Sequence, residues 1–206
     1  MKKYNKYIAE LIGTFALTLA VSLSLVANPS FTPFIAALTL GLFVYFLGGV
    51  SGAHFNPAIT LAAWSIKKIS LKESLAYISA QFAGAGVGYI LGKFIWDLMA
   101  PGPFDKISPL QQNVATTLPI GFGELLGAAF FAFGVASVIF GKTPKDASGA
   151  VIGGSLLLGI LISSTLSNGI LNPAVAFGIG SFNLAYLLGP IVGAIIGMRA
   201  YRAISE

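Results

Sequence analysis

The sequence predicts an all-α membrane protein with six transmembrane helices and two re-entrant half-helices, arranged as an inverted repeat. Three observations carry this: two long stretches without charge, a lopsided distribution of Lys and Arg, and motifs that recur at matching places in two halves of the chain. Of the 206 residues, 56% are hydrophobic and only 9% are charged, against about 25% charged in a soluble domain. No Asp, Glu, Lys or Arg occurs from Leu11 to Ile66, or from Ala147 to Met198. About 20 apolar residues span a hydrocarbon core about 30 Å thick, so each stretch must hold several crossings and the turns between them.

Six segments are long enough to span: 8–27, 34–51, 74–95, 119–140, 148–167 and 184–202. Two others, 56–66 and 172–181, are too short. Asn28-Pro29 and Thr32-Pro33 break the first span from the second. Pro101, Pro103, Pro109 and Pro119 mark a longer central loop, and Gly141-Lys142-Thr143-Pro144 ends the fourth span. Lys2, Lys3 and Lys6 before an apolar run resemble the front of a signal peptide. A signal core is about 7–15 residues, however, and this run is longer, contains Glu10 and has a counterpart later in the chain. It reads as the first span.

With six spans, both termini share one side of the membrane. That side receives Lys2, Lys3, Lys6, Lys67, Lys68, Lys72, Lys142, Lys145, Arg199 and Arg202, and the other only Lys93 and Lys106. The positive-inside bias makes both termini cytoplasmic; a five- or seven-span count would weaken the split. The lean loops suggest a prokaryotic inner membrane.

The sequence also repeats itself. Ala9-Glu10-Leu11-Ile12-Gly13 recurs as Gly123-Glu124-Leu125-Leu126-Gly127, Ser51 to Ala58 as Ser167 to Ala174, and Ala76-Tyr77 as Ala185-Tyr186. Each half, about 1–95 and 119–206 of one membrane domain over 1–206, holds three spans and one short segment. Three is odd, so the second half lies upside down relative to the first, which places functional sites near the midplane between the halves.

Each short segment opens Asn-Pro-Ala: Asn56, Pro57, Ala58 and Asn172, Pro173, Ala174. Asn is a favoured helix N-cap and Pro suits the first helical position. One copy would read as a turn; two copies in inverted halves read as half-helices that meet at mid-membrane with their N-termini facing. Each N-terminus carries roughly half a positive charge, a focus that repels cations and protons. An Asn oxygen that caps its own helix leaves the amide NH₂ to donate to a passing oxygen atom. The stretches before the caps are non-helical, and the carbonyls of Gly52, Ala53, His54, Phe55, Asn168, Ile170 and Leu171 form an acceptor ladder beside a water-filled space.

Other classes are disfavoured by what the sequence lacks. There is no cysteine and only one histidine, which removes disulfides, thiolate or multi-histidine metal sites, and any nucleophile–base set built on them. No metal, cofactor or enzymatic activity is expected. The lysines do not interleave with aromatic residues, so lipid rather than nucleic acid is the expected surrounding partner. Glu10 and Glu124 sit at equivalent places inside their spans, where an acidic group costs on the order of 3 kcal/mol. They read either as interfacial residues facing headgroups or as buried acceptors for the loop N–H groups; the symmetry favours the second. His54 reads as a packed, hydrogen-bonded residue or as a titratable group lining the vestibule. Gly84, Gly86 and Gly88 lack the strand and Lys of a nucleotide loop and read as helix-packing positions.

At these residues the chain resembles the aquaporin, or major intrinsic protein, family. Ser51 to Thr60 and Leu171 to Ala174 look like its twin signature loops, Ala9 to Phe15 its first span, and Leu188 to Ala194 its last. The resemblance implies six spans, two half-helices, a homotetramer with one pore per subunit, and passive flow of water or small neutral solutes. It also implies a four-position selectivity filter, which falls on Ala36, Ile160, Gly169 and Val175. Most members carry Arg where this chain has Val175, and the other three positions are small or aliphatic here. The solute is then water, or a less polar neutral molecule such as glycerol, ammonia, a metalloid hydroxide or a gas. An ion-coupled transporter is the more distant alternative, since Glu10 and Glu124 are the sole acidic candidates in the spans.

Overall fold

Each crossing is a helix whose ends are set by residues that cannot continue it. The computed structural model describes residues 4–99 and 114–206. Lys2, Lys3, Lys106 and the turn read at Pro101, Pro103 and Pro109 lie outside them. The described helices are α1 (Asn5–Ala27), α2 (Thr32–Ser51), α3 (Pro57–Ser65), α4 (Leu71–Met99), α5 (Val114–Ile139), α6 (Ser148–Ser163), α7 (Pro173–Gly178) and α8 (Leu184–Ser205). Asn28 breaks α1, Pro29 opens a short 3₁₀ turn, and Pro33 lies in the first turn of α2, where its missing N–H leaves nothing unpaired. Helix α2 ends at Gly52, whose φ of 91° suits glycine.

Six segments are long and apolar enough to cross a bilayer: α1, α4, α5 and α8, and α2 and α6 taken with the 3₁₀ turns that precede them, as Pro29–Ser51 and Lys145–Ser163. Helices α3 and α7, with 9 and 6 residues, are about 14 and 9 Å long at 1.5 Å per residue and cannot. Most boundaries shift by a few residues from the sequence reading, and two of the shifts have a plain cause. Pro119, expected in the central loop, lies in the second turn of α5; near a helix start it forfeits one backbone bond without stopping the helix. The fifth span, expected over 148–167, ends at Ser163, whose carbonyl takes the N–H groups of Leu166 and Ser167 as the chain turns into a re-entrant loop.

The two halves pair their elements alike: α1 packs on α4 and α5 on α8, while α2 and α6 meet between them. Glycines make these crossings close. A Cβ on Gly84 of α4 would meet the Leu11 carbonyl of α1, and one on Gly193 of α8 would meet the Leu125 carbonyl of α5. These are equivalent contacts in the two halves, and side-chain-free backbone approach is what drives helix association where lipid is as apolar as the protein. The distribution of polarity is inverted relative to a soluble protein. Leu38, Phe46, Ile90, Leu158 and Leu184 are exposed, whereas Glu10, Thr14, Gln81 and Glu124 are wholly buried.

Gly193→Ala should therefore destabilise the protein by about 1–3 kcal/mol, the usual range for overpacking. Gly86→Ala, whose new methyl would stand 3.9 Å from Phe177, should be neutral or stabilising by up to about 1 kcal/mol through helix propensity. Thermal unfolding in detergent compares the two.

Candidate functional site

The two re-entrant loops run from Ser51 to Phe55 and from Ser167 to Leu171, and both fold into the same unusual backbone. Ala53 and Phe55 have φ of 53° and 49°, and Gly169 and Leu171 have 63° and 56°. Left-handed conformation costs a non-glycine residue roughly 1–2 kcal/mol, so something must hold it. That role falls to the two buried glutamates. Glu10 Oε1 accepts from the Ser51 hydroxyl at 2.6 Å and the His54 N–H at 3.0 Å, and its Oε2 accepts from the Phe55 N–H at 2.7 Å and Gln81 Nε2 at 2.8 Å. Glu124 repeats the pattern with the Ser167 hydroxyl at 2.7 Å and the N–H groups of Ile170 at 2.9 Å and Leu171 at 2.6 Å. Neither faces headgroups: both side chains are 0% exposed. Hydrogen bonds to charged acceptors are roughly twice as strong as neutral ones, which offsets the backbone strain.

Beyond the loops the half-helices begin. Asn56 Oδ1 accepts from the Ala58 N–H at 2.8 Å, and Asn172 Oδ1 from the Ala174 N–H at 3.0 Å and the Val175 N–H at 3.3 Å. Pro57 and Pro173 take the first helical position. The amide NH₂ groups then cross between the halves. Asn56 Nδ2 donates to the Leu171 carbonyl at 2.9 Å, and Asn172 Nδ2 donates to the Phe55 carbonyl at 3.0 Å. This corrects two sequence expectations. Each amide is not wholly free, because one of its two N–H bonds is used and one remains. The Phe55 and Leu171 carbonyls do not belong to an open acceptor ladder, because they close the joint between the halves.

A cavity of about 260 Å³ runs up to this joint. Asn56 and Asn172 lie on its wall, as do His54, Asn168 and Ile170 from the loops. Gly52, Ala53, Phe55 and Leu171 do not line it. Ala36, Ile160, Gly169 and Val175 all do, so residues from α2, α6, the second loop and α7 converge on one space. The remaining wall is mostly apolar, with Leu17, Val21, Leu40, Phe131 and Leu156. None of the lining residues is Asp, Glu, Lys or Arg. Among the described residues no group of His and acidic side chains is arranged to hold a metal ion.

His54 is both packed and on the cavity wall. Its Nδ1 lies 3.1 Å from Thr60 Oγ1 and its ring meets Tyr77 edge-on with centroids 5.3 Å apart. Sequence reasoning missed several supports. Ser51 and Ser167 occupy equivalent positions and bond equivalent glutamates, and Tyr77 and Tyr186 bond the loop backbones at the Ser51 carbonyl and the Asn168 N–H. The repeat carried the signal for both pairs. Gln81 and Thr60 have no polar counterpart in the second half, so nothing in the repeat marks them.

The sequence pattern of the major intrinsic protein family matches residues 1–201. The chain is 32% identical to Nodulin-26 of Glycine max, over 97% of this chain and 78% of that protein. It is 31% identical to a probable aquaporin AqpM of Archaeoglobus fulgidus, over 98% of this chain and 97% of that one. Its fold is like that of the aquaglyceroporin from Plasmodium falciparum, with a TM-score of 0.69 at 19% identity, covering 100% of this chain and 96% of the other. Together with the paired half-helices and the uncharged cavity, these likenesses show that the chain belongs to the major intrinsic protein family, membrane channels for water or small neutral solutes.

Proposed function

We propose that this chain conducts small uncharged solutes passively through a neck formed by Ala36, Ile160, Gly169 and Val175, and that its selectivity rests on dehydration rather than on a fixed charge. The observation that carries the proposal is a cavity lined by no ionic side chain that ends at two asparagine amides. A filter arginine would supply a cation barrier and up to five N–H donors. Val175 supplies neither, and Ile160 beside it offers only methyl groups. An ion entering such a neck loses its water without compensation, which costs several kcal/mol. Further in, it meets the N-termini of α3 and α7, whose partial positive charges oppose cations and protons. A neutral molecule avoids both penalties.

The remaining N–H of each asparagine is the donor a passing oxygen meets at the joint. The carbonyls of His54, Asn168 and Ile170 are the acceptors offered on either side. Glu10 and Glu124 act as structural supports for those carbonyls. The assembly proposed is a homotetramer in a prokaryotic inner membrane with both termini in the cytoplasm, in line with the positive charge on that side.

Stopped-flow light scattering on proteoliposomes tests the reading. Permeability to water or to glycerol-sized neutral solutes should exceed that of empty vesicles, with no accompanying ion conductance; flux equal to empty vesicles for every neutral solute would end it. Val175→Arg should lower flux of glycerol-sized solutes by about tenfold, a barrier change near 1.4 kcal/mol, and an unchanged solute profile would remove Val175 from the neck. Glu124→Ala should strand the Ser167 hydroxyl and the Ile170 and Leu171 N–H groups, each at about 1–3 kcal/mol. It should lower both the melting temperature in detergent and the flux per folded protein, with Glu124→Gln intermediate.

A further inference from the structure

The end of α3 gathers more positive charge than its own structure needs. The chain wraps the last turn of this helix with two lysines. The Lys67 N–H donates to the Trp64 carbonyl at 2.9 Å, and the Lys68 N–H to the Ala63 carbonyl at 3.0 Å. Arg199 of α8 joins them, its Nη2 donating to the Ser65 carbonyl at 3.5 Å. A helix C-terminus carries roughly half a negative charge, so three cations leave an excess of about two. Among the described residues no carboxylate takes this up. On the same face Glu73 is bound to Lys6 and Glu206 to Arg202, and Asp146 lies at the start of α6, beside Tyr45 of α2. Lys67, Lys68 and Arg199 are all exposed. The Lys68 ammonium sits 4.6 Å from the centroid of the Phe140 ring, so Arg199 and Lys67 are the groups left for a ligand.

Toward the membrane midplane the neighbouring surface is apolar and uncovered. Trp64 is 41% exposed. On α8, Val192, Ile196 and Arg199 are spaced to share one helix face, and both aliphatic residues are exposed. The repeat shows that the scaffold does not demand these groups. By register Gly180 and Ile90 stand where Trp64 and Arg199 stand, and residues 179–183 after α7 include no Lys or Arg.

We propose that this strip is a docking site for an anionic phospholipid, its phosphate on Arg199 and Lys67 and an acyl chain along Trp64, Ile196 and Val192. A guanidinium has five N–H donors, so Arg199 keeps most of them after the bond to Ser65, in a planar fork that fits phosphate. An anionic headgroup is preferred to a zwitterionic one because the excess charge here is positive. The lipid supplies both things the protein leaves open, a counter-charge at the end of α3 and hydrocarbon against the exposed indole. The site is independent of which solute the pore conducts.

The chain has two tryptophans, so Trp96→Phe leaves Trp64 as the single indole of the full-length protein. In vesicles of mixed phosphatidylglycerol and phosphatidylcholine, with one or the other carrying brominated chains, the lipid that touches Trp64 quenches its fluorescence. Phosphatidylglycerol should show a relative affinity about fivefold higher, the worth of one basic residue near anionic lipid. Arg199→Gln should lower this preference, and adding Lys67→Gln should abolish it. Arg199→Lys, which keeps the charge, should keep most of it. Lys145→Gln removes a charge from the same face at the start of α6 and should leave the preference intact. Equal quenching by the two lipids overturns the proposal, as does a preference retained in the double variant. Absence of quenching by either lipid also overturns it, since a protein surface would then cover Trp64. A loss in Lys145→Gln as large as in Arg199→Gln would assign the preference to diffuse surface charge. A loss in Arg199→Lys as complete as in Arg199→Gln would assign it to altered packing. Quenching equalised by excess inorganic phosphate would make the ligand a soluble anion. Each of these three results also overturns the lipid site.

Discussion

A backbone that stops being helical inside a bilayer must satisfy every N–H and C=O within the protein, since hydrocarbon offers no replacement. The two re-entrant loops meet that demand with buried carboxyl groups. Glu10 serves two backbone N–H groups and two side-chain donors, and Glu124 serves two N–H groups and one hydroxyl. The arrangement works in both directions. The loops keep the anions from being uncompensated buried charges, and the anions keep Ala53, Phe55 and Leu171 in left-handed backbone that they would otherwise leave. Once the N–H groups point at the glutamates, the carbonyls of the same peptides must point the other way. The Phe55 and Leu171 N–H groups share their peptides with the His54 and Ile170 carbonyls, which accords with His54 and Ile170 lying on the cavity wall.

The joint between the halves follows from the same geometry. Leu171 gives its N–H to Glu124 and receives Asn56 on its carbonyl, and Phe55 gives its N–H to Glu10 and receives Asn172. Each of these residues thus links a pin in its own half to the cap of the opposite half-helix. The two half-helices cannot shift independently, because moving either one breaks a cross-half bond and strains a pinned peptide. This coupling fixes the direction of the remaining asparagine N–H bonds, and donors held in place need little reorganisation when a solute arrives.

Much of this was legible in the sequence, for reasons that differ by residue. Asn-Pro-Ala declares a helix start through local capping chemistry, and its duplication declares a midplane site; both are written in neighbouring residues. The glutamates and glycines were legible because each has a counterpart at the same register. The amide-to-carbonyl bonds of Asn56 and Asn172 were not, because they join positions more than a hundred residues apart and depend on how the halves dock. Pro119 misled because proline reads as a breaker wherever it falls, although a helix tolerates it near its start. The Thr60–Gln81–His54 network was hidden for the opposite reason to the glutamates, since the second half replaces it with apolar residues.

That loss of symmetry also bears on how the pore divides its work. On the Glu124 side the chain places Ile160, Val175 and Ile170 against the cavity, all apolar, with Gly169 contributing only backbone. On the Glu10 side it places the His54 ring, whose Nδ1 lies 3.1 Å from Thr60 Oγ1. Apolar walls raise the cost of carrying a hydration shell. A neutral solute gives up little at such a wall, whereas an ion gives up a hydration shell that the wall does not replace. The two halves differ at these wall positions, and an inverted repeat permits this because the shared scaffold of glutamates, asparagines and glycines leaves the wall residues free to diverge.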